Sequence, residues 1–149
     1  MKNDQNICPN RAVIQYRICL HSSSANQLLR GGKKHGAIGL FQYIAQLKKL
    51  FKAVVEDDPY AEEILLRIYE NAKKAKSFLE KSIEKYQERL DNVEGLKSSS
   101  FRSDFPTEII VKNSNQYVSL MVDLILKYDQ LVCLILIGSR LLKVSELDS

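Results

Sequence analysis

Residues 58–93 read DPYAEEILLRIYENAKKAKSFLEKSIEKYQERLDNV, and this stretch decides the fold class. Positions Leu65, Ile68, Ala72, Ala75, Leu79, Ser82/Ile83, Tyr86, Leu90 and Val93 keep a three-four spacing over about four heptads, the period of a long helix with one seam. Asp58 suits the N-cap, Pro59 the first helical position, and Glu62 and Glu63 the positive end of the dipole. The helix is expected to run to about Glu94, where Gly95 stops it. Glu63 with Arg67 and Glu70 with Lys74 are i,i+4 pairs, each worth about 0.2–0.5 kcal/mol. Coiled-coil packing, within or between chains, is the expected use of the seam.

Toward the N-terminus, Leu40, Phe41, Ile44, Leu47, Leu50, Phe51 and Val54 recur at helical spacing, predicting a helix from Ala37 to about Val55. Before it, Ser22 to Asn26 and Arg30 to Gly36 (RGGKKHG) carry turn chemistry, with Leu28 and Leu29 between them. Residues 11–21 (RAVIQYRICLH) alternate instead. Ala12, Ile14, Tyr16, Ile18 and Leu20 share one face and Val13, Gln15, Arg17, Cys19 and His21 the other, predicting a strand with one apolar face. Toward the C-terminus, residues 98–106 (SSSFRSDFP) read as a loop and Thr107 to Lys112 as a second strand. Asn113 or Ser114 then caps a last helix from about Asn115 to Leu142, with VSELDS fraying after it. Two short strands make no stable sheet alone, so they pair with each other or across a dimer and are backed by helices. The predicted fold is mainly α with a short two-stranded β-ribbon, in the order β-α-α-β-α. It forms a single domain over 1–149, with 1–10 and 144–149 flexible.

The chain has 149 residues, 45% of them hydrophobic, which suffices for one core. Its net charge of +4 is unevenly spread. Residues 1–54 hold nine Lys/Arg against Asp4 alone; 55–100 hold eight against eleven acids, and 101–149 five against six. A basic first third suits a polyanion such as nucleic acid, although solvated surface charge has the same composition. Cys8, Cys19 and Cys133 share no CxxC spacing, so neither a disulfide framework nor a zinc site is encoded. The start, MKNDQNICPN, has no apolar signal region, and Asp123, Lys127, Asp129 and Arg140 interrupt the apolar stretch 117–142. A cytoplasmic location and no membrane partner are expected.

Enzyme chemistry finds no support. Gly31 and Gly36 have phosphate-loop spacing, but Ala37-Ile38 stands where Lys-Ser/Thr would be needed. His21 and His35 have no metal-ligand spacing and no nucleophile motif around them. Capping explains Asp58, and solvation explains Glu56 and Asp57. No cofactor, metal or small-molecule substrate is expected.

The polar strand face is the better candidate. A two-stranded ribbon fits the major groove, where Gln reads adenine and Arg reads guanine, so Gln15 and Arg17 are candidate readers, with Arg11 at the head of the strand. Lys33 and Lys34, with His35, precede a predicted helix N-terminus that favours an anion. Lys48, Lys49 and Lys52 suit phosphate contact beside the ribbon, or equally a solvated helix face.

At Asp57-Asp58-Pro59-Tyr60-Ala61, then Leu65-Leu66-Arg67-Ile68, and again at Lys127-Tyr128-Asp129-Gln130-Leu131-Val132, the chain resembles the integrating conjugative element protein family that includes the plasmid transcriptional regulator AcaB. The helix containing Ile38 to Val54 is also similar, and the resemblance covers about residues 11–145. It implies a ribbon-helix-helix-like protein that binds promoter DNA and regulates conjugative transfer genes. Two features depart from that pattern. Many relatives are expected to continue beyond position 149. The turn Glu56 to Asp58 is acidic where ribbon-helix-helix proteins commonly meet phosphate. The expectation is a dimeric, double-stranded-DNA-binding regulator that presents its strand to the major groove and packs its dimer through the long helix. The alternative is a non-enzymatic interaction or scaffold component of a conjugative element, in which the two long helices recruit a partner protein.

Overall fold

The computed structural model describes residues 14–32, 37–93, 106–113 and 115–148. Along the chain these form β1 (Ile14–Leu20), α1 (Ser23–Arg30), β2 (Gly31–Gly32), β3 (Ala37–Ile38), α2 (Leu40–Val55), α3 (Pro59–Asp91), β4 (Thr107–Asn113) and α4 (Gln116–Asp148). The protein is thus mainly helical with a small antiparallel two-stranded sheet, as the periodicity predicts. β1 pairs with β4 of the same chain, with Ile14 opposite Asn113 and Leu20 opposite Thr107.

Three local differences have physical causes. The stretch predicted as turns after β1 contains a helix, α1, because the Ser22 hydroxyl caps it at the Ala25 amide (3.2 Å) and Ala25 and Leu29 bury one face. Its small apolar content hides its period, and of its turn-type residues Ser22 is the cap while Ser23, Ser24 and Asn26 lie within the helix. Gly31, at φ 74°, ends it in a conformation that glycine tolerates best. Second, α2 starts at Leu40 and not at Ala37, since Ala37–Ile38 pairs with Gly31–Gly32. Third, Asn115 caps α4, accepting from the Tyr117 amide at 2.7 Å, and the helix continues past Leu142 to Asp148.

The acidic turn between α2 and α3 is held by two caps in series. The Asp57 amide donates to Val54 O and the Asp58 amide to Ala53 O, both at 3.0 Å, with Asp57 left-handed at φ 63°. Asp58 then caps α3 at the Tyr60 amide, 3.0 Å away, as Pro59 requires.

Part of the α3 seam is buried within the chain, while Ala75 stays exposed and Leu79 half-buried. Leu65 and Ala72 are buried, and α3 lies along α4. Lys76 meets Asp123 at 3.2 Å and Glu80 meets Lys127 at 3.5 Å, so both ion pairs join residue i to i+47. A constant offset means that the two helices run parallel, with β4 between them in the chain. One core joins the layers: Ile18 and Leu20 of β1, Leu29 of α1, Leu40 and Leu47 of α2, Leu65 of α3, Val111 of β4, and Val118, Val122 and Ile125 of α4. Among the described residues no helix is long and apolar enough to cross a membrane.

Candidate nucleic-acid interface

Successive side chains of a strand point to opposite faces, and burial on one face dictates exposure on the other. Ile18 and Leu20 are sealed in the core and Tyr16 half-buried, so Gln15 and Arg17 stand exposed on the outer face, with Cys19 half-buried beside them. The ladder brings β4 into the same surface: Gln15 lies opposite Lys112, Arg17 opposite Ile110, and Cys19 opposite Glu108. Lys112 is exposed and Ile110 is 56% exposed. Lys112 and Ile110 are not singled out by the sequence reading. The alternation of Glu108, Ile110 and Lys112 against Thr107, Ile109 and Val111 is the signal that finds them.

Arg17 reaches diagonally to Glu108, with Nη2 3.2 Å from Oε1 and 3.4 Å from Oε2. Both side chains are well exposed, so the pair is worth about 0.2–1 kcal/mol. That is enough to orient the guanidinium and too little to hold it from a competing phosphate or base edge.

The ribbon is anchored from behind. The Tyr16 hydroxyl hydrogen-bonds the Ser119 hydroxyl of α4. Asp129, 6% exposed on the same helix, accepts from the His21 amide (3.1 Å to each oxygen) and from the Ser22 amide at 2.8 Å. One carboxylate therefore gathers the end of β1 and the start of α1 onto α4. One turn on, burial and then the Asp129 charge push the Cys133 thiol up to about 11, so it stays protonated at neutral pH. The Tyr43 hydroxyl, donating to Tyr117 O at 3.3 Å, is raised to about 12, first by burial and then by Tyr117.

The other predicted contacts divide. Lys48, Lys49 and Lys52 are exposed on α2. α2 packs on α1 and α3 and meets α4 where Tyr43 and Phe51 contact Tyr117, while the ribbon packs on α4 and α1, so both α1 and α4 connect the lysine-bearing helix to the ribbon. Arg11, Lys33, Lys34 and His35 lie outside the described residues, and the helix that the lysines precede begins at Leu40, beyond β3. Cys19 Sγ sits 3.8 Å from His21 Nε2, a proximity the sequence reading did not expect. Among the described residues no group of three potential metal ligands comes together.

Comparison with known proteins identifies the family of this helical body and its anchored two-stranded ribbon. Residues 12–144 match the family model of the transcriptional regulator AcaB, and the chain belongs to that family. It is also similar in fold to the crystal structure of selenomethionine-containing AcaB from uropathogenic E. coli, with a TM-score of 0.63 and 16% identity over 84% of this chain. The match covers 61% of that longer chain. No curated protein is significantly similar to this one.

Proposed function

We propose that this protein is a DNA-binding regulator of conjugative transfer genes on a mobile element, working as a homodimer that sets the outer face of the β1–β4 ribbon into the major groove. It acts in the cytoplasm, without catalysis, and needs no cofactor. Its family is one of transcription regulators, and the observation that carries the DNA reading is the outer face itself, where Gln15, Arg17 and Lys112 project from a ladder locked at its back. A two-stranded ribbon is narrow enough for the groove, Arg17 can take a guanine edge and Gln15 an adenine edge, and Lys112 can reach a phosphate. Lys48 and Lys52 add phosphate contacts from α2, and Arg11, Lys33 and Lys34 extend the basic charge of the same third of the chain.

The ribbon-helix-helix-like reading takes a particular form here. The second strand comes from the same chain, and α3 packs along α4 of that chain.

Fluorescence anisotropy of the protein with duplexes from its element's promoters, against a scrambled duplex at two salt concentrations, tests this. Sequence-preferring binding that weakens steeply with salt is expected. Arg17→Ala should weaken specific binding by roughly 1–3 kcal/mol per lost base contact, while stability falls by no more than about 1 kcal/mol, the most that its pair with Glu108 supplies. Absence of binding at micromolar protein in low salt would overturn the reading. The scaffold reading would then take its place, on the strength of an apolar cleft of about 230 Å³ lined by Leu28, Ile38, Leu40, Tyr43, Leu79 and Met121.

A further inference from the structure

Helix α3 is electrically two-sided, although the segment around it is net acidic in the sequence. At 3.6 residues per turn, Arg67, Asn71, Lys74, Phe78, Lys85 and Arg89 fall in one narrow stripe, with Lys81 at its margin. All of them are exposed. From Arg67 to Arg89 the stripe is about 33 Å long at 1.5 Å per residue, close to one turn of duplex DNA. Its acids are at the edges: Glu63 is paired with Arg67 at 2.8 Å, and Glu70 and Glu88 border one side. Most of the remaining acidic charge lies round the helix toward α4. There Glu80, Glu84 and Asp91, with Glu88, line a groove that contains Lys127. The fold thus directs much of the acid of α3 toward a cation of its own chain and leaves Lys74, Lys81 and Lys85 exposed to solvent.

Phe78 stands in the middle of the cations, 67% exposed. Like-charged stripes repel one another, so a second α3 is a poor partner for this face, whereas a polyanion answers both its sign and its length.

We infer that the exposed α3 stripe centred on Lys74, Phe78, Lys81 and Lys85 is a second DNA-contact surface, lying along the phosphate backbone of duplex DNA. This rests on the DNA-binding reading above and extends it beyond the ribbon. The lysines neutralise phosphates without reading sequence, and Phe78 lies against the deoxyribose face between them. The stripe therefore contributes affinity for any duplex, and the ribbon contributes preference.

The test combines a salt titration with photo-crosslinking on the full chain. Lys74→Gln, Lys81→Gln and Lys85→Gln together keep good helix formers at exposed positions, so the helical circular dichroism should not change. Affinity for promoter and scrambled duplexes alike should fall at least about tenfold at low salt, and the slope of log K against log salt should become shallower by roughly 2–3, near 0.9 per phosphate contact. Phe78→benzoylphenylalanine should crosslink to the duplex, and Glu84→benzoylphenylalanine, on the acidic side, should not. Wild-type binding with an unchanged slope in the triple variant, or with no crosslink from position 78, would overturn this surface and leave the ribbon reading standing. Failure of the wild type to bind any duplex would overturn both.

Discussion

Asp129 shows how one residue can serve the ribbon without touching a ligand. It is buried and accepts from two consecutive backbone amides, so replacing it strands two donors at the point where β1 passes into α1. Hydrogen bonds to a charged acceptor are worth about 1.5–3 kcal/mol, and unsatisfied buried donors add to the loss. Asp129→Ala should therefore lower stability by about 2–4 kcal/mol, read from the urea midpoint at constant slope. The motif Lys127-Tyr128-Asp129 carries part of the family resemblance, and its structural role is now visible: Lys127 pairs with Glu80 of α3 while Asp129 holds the strand. Spacing along the sequence brings Asp129 to attention but not its partners, which are 107 and 108 residues away.

Among the elements, α1 is the least legible and the most connected. It touches β1, α2 and α4, and it lies so close to the start of α2 that a Cβ at Gly39 would sit 2.5 Å from Arg30 O and 2.7 Å from Leu29 O. Those are backbone atoms, which cannot step aside as a flexible side chain can. Gly39→Ala should consequently cost about 1–3 kcal/mol, the usual range for overpacking, as seen in thermal or urea unfolding. The long helices are the opposite case. The seam of α3 is plain in the sequence because Leu65, Ile68, Ala72 and Leu90 obey the helical period. What periodicity leaves open is the partner, and the two ion pairs at a constant offset answer it: α3 lies parallel to α4 of its own chain.

At the scale of the whole molecule, ribbon and helices share one core, and Tyr117 packs edge-on against Phe51 of α2 and Tyr69 of α3, at 5.6 and 6.2 Å between ring centroids. No layer has a core of its own to keep it folded when another is lost. Unfolding should be a single cooperative transition, with far-ultraviolet circular dichroism and tyrosine fluorescence following the same curve in urea. Two separated transitions would mean that the ribbon and the helices are independent units.

The amino-acid sequence alone determined the helical class, the strand with its buried and exposed faces, the caps at Asp58 and Pro59, and the exposure of Gln15 and Arg17. Each of these follows from local periods or from side chains within a few residues of the backbone groups they satisfy. Only the tertiary structure decided that β4 completes the ribbon and adds Lys112 and Ile110 to its outer face. It alone turned Arg17 toward Glu108, laid α3 along α4, and paired Lys76 and Glu80 of α3 with Asp123 and Lys127 of α4. Those outcomes depend on contacts between residues far apart in the chain, and burial, which chooses among the possible partners of an apolar face, belongs to the assembled core.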